Sequence, residues 1–211
     1  MARALLVPVK AFARAKHRLS GRLGDAARVE LARRLARHVL GARGAMAAFV
    51  ACDDEAVAEL TVAEGASVLW TPGLGLSGAV DAAVAWLATA GIDLVVVAHA
   101  DLPFVPVLDQ FGASGAVTLA PDRAEGGTNV AAVPATAGFR FAYGPGSFDR
   151  HRAEAARLGL ACEVVRDWRL ATDVDHPSDL ALLPAATRAA LSAAGRSGAP
   201  STRTTPKEPP T

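Results

Sequence analysis

Aromatic residues are scarce in this chain: they make up 5% of its 211 positions, and only one of them is tyrosine. A core without them must be built from Ala, Val and Leu, which suits helices packed closely on a parallel sheet. Cysteine is nearly as rare, and Cys52 and Cys162 stand far apart, each in an apolar run of strand length. Such a pair makes neither a disulfide framework nor a zinc site, so both read as buried thiols of a reducing compartment. An excess of one charge is also missing. Lys+Arg number 22 against Asp+Glu 21, a formal net charge of +1, which argues against a bulk electrostatic nucleic-acid binder. No apolar run approaches the ~20 residues of a membrane span; the run Leu94 to Ala98 has the length of one buried strand. The first apolar stretch, Ala4 to Val7, stops at Pro8-Val9-Lys10, too short for a signal peptide. Together these absences describe a soluble, cytoplasmic protein without membrane or nucleic-acid partners.

What is present is a 51% hydrophobic fraction arranged in strand-length runs that alternate with helical patterns. Strands are expected at Ala4–Val9, Ala47–Cys52, Ala66–Trp70, Leu94–Ala98, Ala116–Ala120, Asn129–Val133 and Cys162–Val165. The helices between them fall at Asp53–Glu64, Gly78–Ala90 and Phe148–Leu158. An earlier helix is capped by Asp25, with Ala27, Leu31, Leu35 and Val39 inward and Arg28, Arg33, Arg34 and Arg37 largely on the other sides. Strands separated by helices make βαβ units, so the fold class is α/β, a three-layer αβα sandwich on a mostly parallel, right-handed sheet. After about residue 195 the composition turns to Gly, Ser, Thr, Pro and Lys. Residues 1–195 are therefore one domain and 196–211 a disordered tail.

In an open α/β sheet, ligands gather beyond the carboxyl ends of the strands. After the first strand, Lys10, Arg14, Lys16, His17 and Arg18 lie close together. They are either a solvated basic turn or a polyphosphate contact; a P-loop is excluded, because Gly-x-x-x-x-Gly-Lys-Ser/Thr does not occur. Asp101, following the buried strand through His99-Ala100, is placed either to hold Mg²⁺ or to cap the turn at Leu102-Pro103. Asp173 and Asp175 alternate on one face of an extended segment, although Asp175 equally suits a cap on a helix from Pro177, with Asp179 in its first turn. Glu125-Gly126-Gly127-Thr128-Asn129 and Tyr143-Gly144-Pro145-Gly146-Ser147 read as turns or anion cradles, with Ser147 an N-cap. His151, one turn further, reads as exposed. Asp53-Asp54 reads as a helix cap.

In this order and spacing, the stretches Val7-Pro8-Val9-Lys10, Lys16-His17-Arg18-Leu19, Ala100-Asp101-Leu102-Pro103, Gly126-Gly127-Thr128-Asn129, Gly144-Pro145-Gly146-Ser147-Phe148 and Asp173-Val174-Asp175-His176-Pro177 resemble a known family. It is the 2-phospho-L-lactate or phosphoenolpyruvate guanylyltransferases of coenzyme F-420 biosynthesis. The resemblance covers nearly everything except the tail. It implies a nucleotide-diphospho-sugar-transferase-like sandwich, with Lys10 and Lys16 on phosphate groups and Arg18 on the nucleotide side. Asp101 and Asp173 would hold Mg²⁺, with Asp175 the contender if the register is shifted, and Thr128, Gly144 and Ser147 would bind the three-carbon acceptor. Where the family often shows Gly-Leu-Asn, this chain has Gly75-Leu76-Ser77, so Ser77 is a shorter substitute at a nucleotide-reading position.

The implied reaction is attack of an acceptor phosphate oxygen on the α-phosphorus of GTP, with pyrophosphate leaving and no general base needed. Phosphoenolpyruvate is preferred as acceptor because Cys52-Asp53-Asp54 and His99 to Pro103 resemble the branch for which it is implied. The labile product would pass to the next transferase of the pathway. Other readings are a molybdopterin-type or sugar-phosphate nucleotidyltransferase, a glycosyltransferase using Asp173-Val174-Asp175, and a non-catalytic GTP-binding subunit.

Overall fold

The computed structural model describes residues 1–197. The part of the expected tail beyond Ser197 lies outside these residues. Seven strands form one sheet in the order β3-β2-β1-β4-β6-β5-β7. They are β1 (Arg3–Pro8), β2 (Ala47–Cys52), β3 (Ser67–Trp70), β4 (Leu94–Ala98), β5 (Ala116–Pro121), β6 (Thr128–Pro134) and β7 (Ala161–Val164). The helices are α1 (Asp25–Gly41), α2 (Glu55–Ala63), α3 (Gly75–Thr89), α4 (Ser147–Arg157), α5 (Trp168–Ala171) and α6 (Ala185–Ser197). Short 3₁₀ turns occupy Phe12–Arg14, His17–Leu19 and Pro177–Leu182.

Strands β3, β2, β1 and β4 run parallel, β6 runs antiparallel to both neighbours, and β7 returns parallel to β5. The reversal at β6 is the one departure from a wholly parallel wind. Alternation of side chains along each strand sends residues to two cores. Leu5, Val7, Val96 and Ala98 pack with Ala36, Val39 and Leu40 of α1, while Ala4, Leu6, Val95 and Val97 pack with Val80, Ala83 and Leu87 of α3. Both faces are covered, which is why β4 is a continuous apolar run with all five residues buried. A third cluster joins α1 to α6 through Leu31, Leu35, Leu183 and Leu191.

Several local expectations need correction. Gly24, not Asp25, stands at the start of α1; Asp25 is the first helical residue and pairs with Arg28. Arg28 is itself buried, because its guanidinium turns inward to donate to the Ala15 carbonyl at 3.0 Å. Cys52 is buried as expected, but Cys162 is exposed, since β7 is an edge strand with little covering it. Ser147 is the first residue of α4 rather than its cap, a place taken by Gly146. His151 is fully buried, not exposed. Asp54 does cap α2, accepting from the Val57 N–H at 3.1 Å. Among the described residues, no helix is long and apolar enough to cross a membrane.

Candidate active site

The first four strands end in a common cleft. Two adjoining hollows of about 360 and 380 Å³ share Pro8, Val9, Lys10, Arg14 and Leu76. The first continues to Lys16, His99, Asp101 and Asp175 at the end of β4, and the second to Cys52, Asp53, Thr71 and Gly75 beyond β2 and β3.

At the β4 end, ligand oxygens of Asp101, Asp173 and Asp175 lie within 4.8 Å of one another. Three carboxylates at that distance repel unless a cation neutralises them, and Lys16 is that cation here. Its Nζ stands 2.7 Å from Asp101 Oδ2 and 3.2 Å from Asp175 Oδ1, while Arg18 reaches the other Asp175 oxygen at 3.2 Å. Burial works against both members of the Lys16–Asp101 pair. Their mutual attraction wins, holding the ammonium pKa above its ordinary value and the Asp101 carboxyl below the usual carboxylate range. Among the described residues, Asp173 has no such partner. Burial, then the charges of Asp101 and Asp175, push its pKa up to about 6.

The loop that carries these groups is held from behind. Asp179 is buried and accepts from the backbone N–H groups of Asp175 at 3.0 Å and His176 at 2.7 Å, with Arg123 donating to its other oxygen at 2.6 Å. The structure thus reverses the expected capping: Asp179 secures Asp175, and Asp175 is left facing Lys16 and Arg18.

Lys10 and Arg14 line the cleft and pair with no carboxylate among the described residues, so their charges are available to an anion. Nothing in the sequence singles Arg14 out from its basic neighbours; its position on a 3₁₀ turn directly after the loop from β1 is what brings it in. The residues expected to hold the acceptor gather on the β6 and α4 side. Thr128 and Ser147 are buried, with the Thr128 N–H donating to Ser147 Oγ at 3.1 Å and Thr128 Oγ1 3.0 Å from His151 Nδ1. The Ser147 N–H donates to the carbonyl of Gly144, which is exposed. This group adjoins the β4 end, where the His99 N–H donates to the Asn129 carbonyl, but none of its members lines the two hollows. Ser77 is likewise not a lining residue: its hydroxyl accepts from the Tyr143 N–H at 2.9 Å and ties α3 to the loop before α4.

A family model described as "Guanylyl transferase CofC like" matches residues 3–185. The chain belongs to this family. The CofC-like chain is 36% identical over 185 residues to the phosphoenolpyruvate guanylyltransferase of Sphaerobacter thermophilus, covering 83% of this chain and 89% of that protein. It is 43% identical over 116 residues to the 2-phospho-L-lactate guanylyltransferase of Halorubrum lacusprofundi, about half of each chain. Among solved structures, a proposed nucleotide-diphospho-sugar transferase from Desulfovibrio desulfuricans G20 superposes with a TM-score of 0.70 at 19% identity, covering 93% of this chain and 98% of that one. At that identity the likeness speaks for the fold, and it bears out the nucleotide-diphospho-sugar-transferase-like sandwich for this CofC-like chain.

Proposed function

We propose that the chain transfers GMP from GTP to phosphoenolpyruvate, with 2-phospho-L-lactate as the other acceptor, and releases pyrophosphate. The observation that carries this reading is the convergence of Asp101, Asp173 and Asp175 within 4.8 Å, beside the uncommitted cations Lys10 and Arg14. The names of the most similar relatives support the acceptor class.

The residues present fit a magnesium ion. All three ligands are hard carboxylate oxygens, and Asp101 Oδ1 is buried without a hydrogen-bond partner among the described residues, which leaves it a lone pair to give. When bound, such an ion would neutralise phosphate charge and favour departure of pyrophosphate. In the reaction, an oxygen of the acceptor phosphate bonds to the α-phosphorus, and the bond from that phosphorus to the α,β-bridging oxygen breaks. A phosphate monoester is already anionic near neutral pH, so the chain needs no proton acceptor at the reacting atom. The chain's own part is to hold two polyanions together: Lys10 and Arg14 along the cleft, and Lys16 between Asp101 and Asp175. Positioning of this kind can contribute roughly 7–11 kcal/mol to the barrier reduction. We assign the acceptor to the β6 and α4 side, with Thr128, Gly144 and Ser147. The product is a mixed anhydride-like diphosphate, and its lability calls for a transferase that consumes it promptly.

The test is pyrophosphate release from purified protein with Mg²⁺ and GTP, offering phosphoenolpyruvate, 2-phospho-L-lactate or 3-phospho-D-glycerate in separate assays. Release that depends on phosphoenolpyruvate is expected. Dependence on another acid would rename the acceptor, and GTP binding without release would favour a non-catalytic nucleotide-binding subunit.

A further inference from the structure

The second hollow has a feature that neither the acidic trio nor the cations explain. Asp53 and Asp54 follow β2 together, yet their carboxylates differ in what they do. Asp54 is committed to the cap of α2 through the Val57 N–H. Asp53 is exposed, lines the hollow and accepts no hydrogen bond from any described residue. The remaining wall is apolar or small, with Pro8, Val9, Leu76 and Ala79. Lys10 and Arg14 sit where this hollow meets the one that holds Asp101. A nucleoside triphosphate whose phosphates lie on these cations and whose α-phosphorus approaches Asp101 has its base at the Asp53 end.

We infer that Asp53 is the residue that selects guanine, accepting hydrogen bonds from its N1–H and its exocyclic N2 amine. The inference rests on the nucleotide site proposed above. A free carboxylate presents lone pairs only. Guanine offers it two adjacent donors, a charge-assisted pairing. Adenine and cytosine place a ring-nitrogen lone pair beside their amine, so one carboxylate oxygen meets repulsion, and uracil offers one N–H between two carbonyls. Selection thus combines a good pairing with a penalty on the alternatives. The apolar wall would take the flat face of the base.

The experiment measures binding of GTP, ITP and ATP by calorimetry, in the presence of Mg²⁺ and without acceptor, to wild type, Asp53→Asn and Asp53→Ala. Wild type is expected to bind GTP about 10- to 100-fold tighter than ATP, the size of one or two hydrogen bonds to a charged group. ITP, which lacks the N2 amine, falls between them. Both variants lose the preference, and Asp53→Asn, whose amide pairs with adenine, narrows it most. Asp53 holds no side-chain hydrogen bond among the described residues, so both variants should fold, with circular dichroism as the check; should Asp53→Ala not fold, the isosteric Asn variant decides. A wild type that binds the nucleotides equally, or variants that keep the wild-type ratio, overturn the inference. Pyrophosphate release in wild type separates the two readings. A guanine preference lost in the variants without any release upholds the selector and sinks the transfer; release that uses GTP and ATP alike does the reverse. A wild type that binds no nucleotide overturns both.

Discussion

Lys16 shows what a single residue is asked to do at this site. Its φ of 57° lies in the left-handed region, which costs a non-glycine residue roughly 1–2 kcal/mol. The conformation persists because it delivers Nζ between Asp101 and Asp175. Asp101 is the other half of that arrangement, and replacing it by Asn removes a charge without changing shape. We expect kcat of Asp101→Asn to fall more than ~100-fold, as when transition-state charge stabilisation is lost, with nucleotide binding retained. Turnover above a tenth of wild type would exclude the role given to Asp101. His151 makes a different prediction. Burial, then the nearby Arg150 charge, lower its pKa from 6.5 to about 4, and its Nε2 accepts from the Ala142 N–H at 2.9 Å. Between those pH values the unfolded chain binds a proton that the folded chain refuses. Stability therefore falls as pH drops from 6.5 towards 4, by up to about 3 kcal/mol. Urea midpoints across that range should slope less in His151→Gln than in wild type; parallel slopes would remove His151 from the acid response. Nothing in the sequence reveals this burial, since an isolated His one turn into a polar helix looks solvent-facing. Its hydrogen bonds to Thr128 and Ala142 come from segments 23 and 9 positions away.

At the level of elements, the turns are as informative as the helices. Gly112, in the long connection from β4 to β5, has a φ of +91°, and a Cβ there would collide with the Cβ of Ala132 on β6. Its carbonyl also accepts from Arg3 at 3.0 Å, joining this connection to the start of β1. Gly112→Ala should cost ~2 kcal/mol or more through overpacking and backbone strain, read as a lowered thermal midpoint with nucleotide affinity unchanged. An unaltered midpoint would mean that the connection yields freely. Strands were the most legible elements: β2 and β4 fall where the apolar runs place them, since five or six apolar residues in a row leave little choice. The Asp54 cap was legible for the same local reason. Arg28 was not, because a helical pattern tells which positions face inward but not that a guanidinium will find a carbonyl there. The direction of β6 was hidden too: Asn129 to Val133 are buried on both faces, and such a run reads alike in a parallel or an antiparallel strand.

Taken as a whole molecule, the protein has its most protected strands next to its chemistry. β1 and β4 lie inside the sheet with strands on both sides, whereas β3 and β7 are edges. Hydrogen exchange should be slowest for amides of Leu5–Val7 and Val95–Val97 and fastest for those of β3 and β7; protection of β7 equal to that of β4 would contradict the hierarchy. The same arrangement explains how much of the site could be read in advance. Lys10 and Asp101 follow β1 and β4 directly, so topology alone brings them to one end, whereas Lys16 comes after a 3₁₀ turn and Asp175 after α5. The guard behind them, Arg123 and Asp179, joins positions 56 apart, and no spacing rule connects those two. The antiparallel step at β6 bears on how such a chain reaches its native state. β5 and β6 are neighbours joined only by residues 122–127. Among the described residues, every other pairing in the sheet must first enclose a helix or a long connection. Loop-closure entropy grows with the enclosed length, and topology of this sort sets folding speed. The β5–β6 hairpin is thus where the sheet can begin at least entropic cost, so the strand that breaks the parallel pattern is the natural seed from which β4, and the parallel strands beyond it, are added.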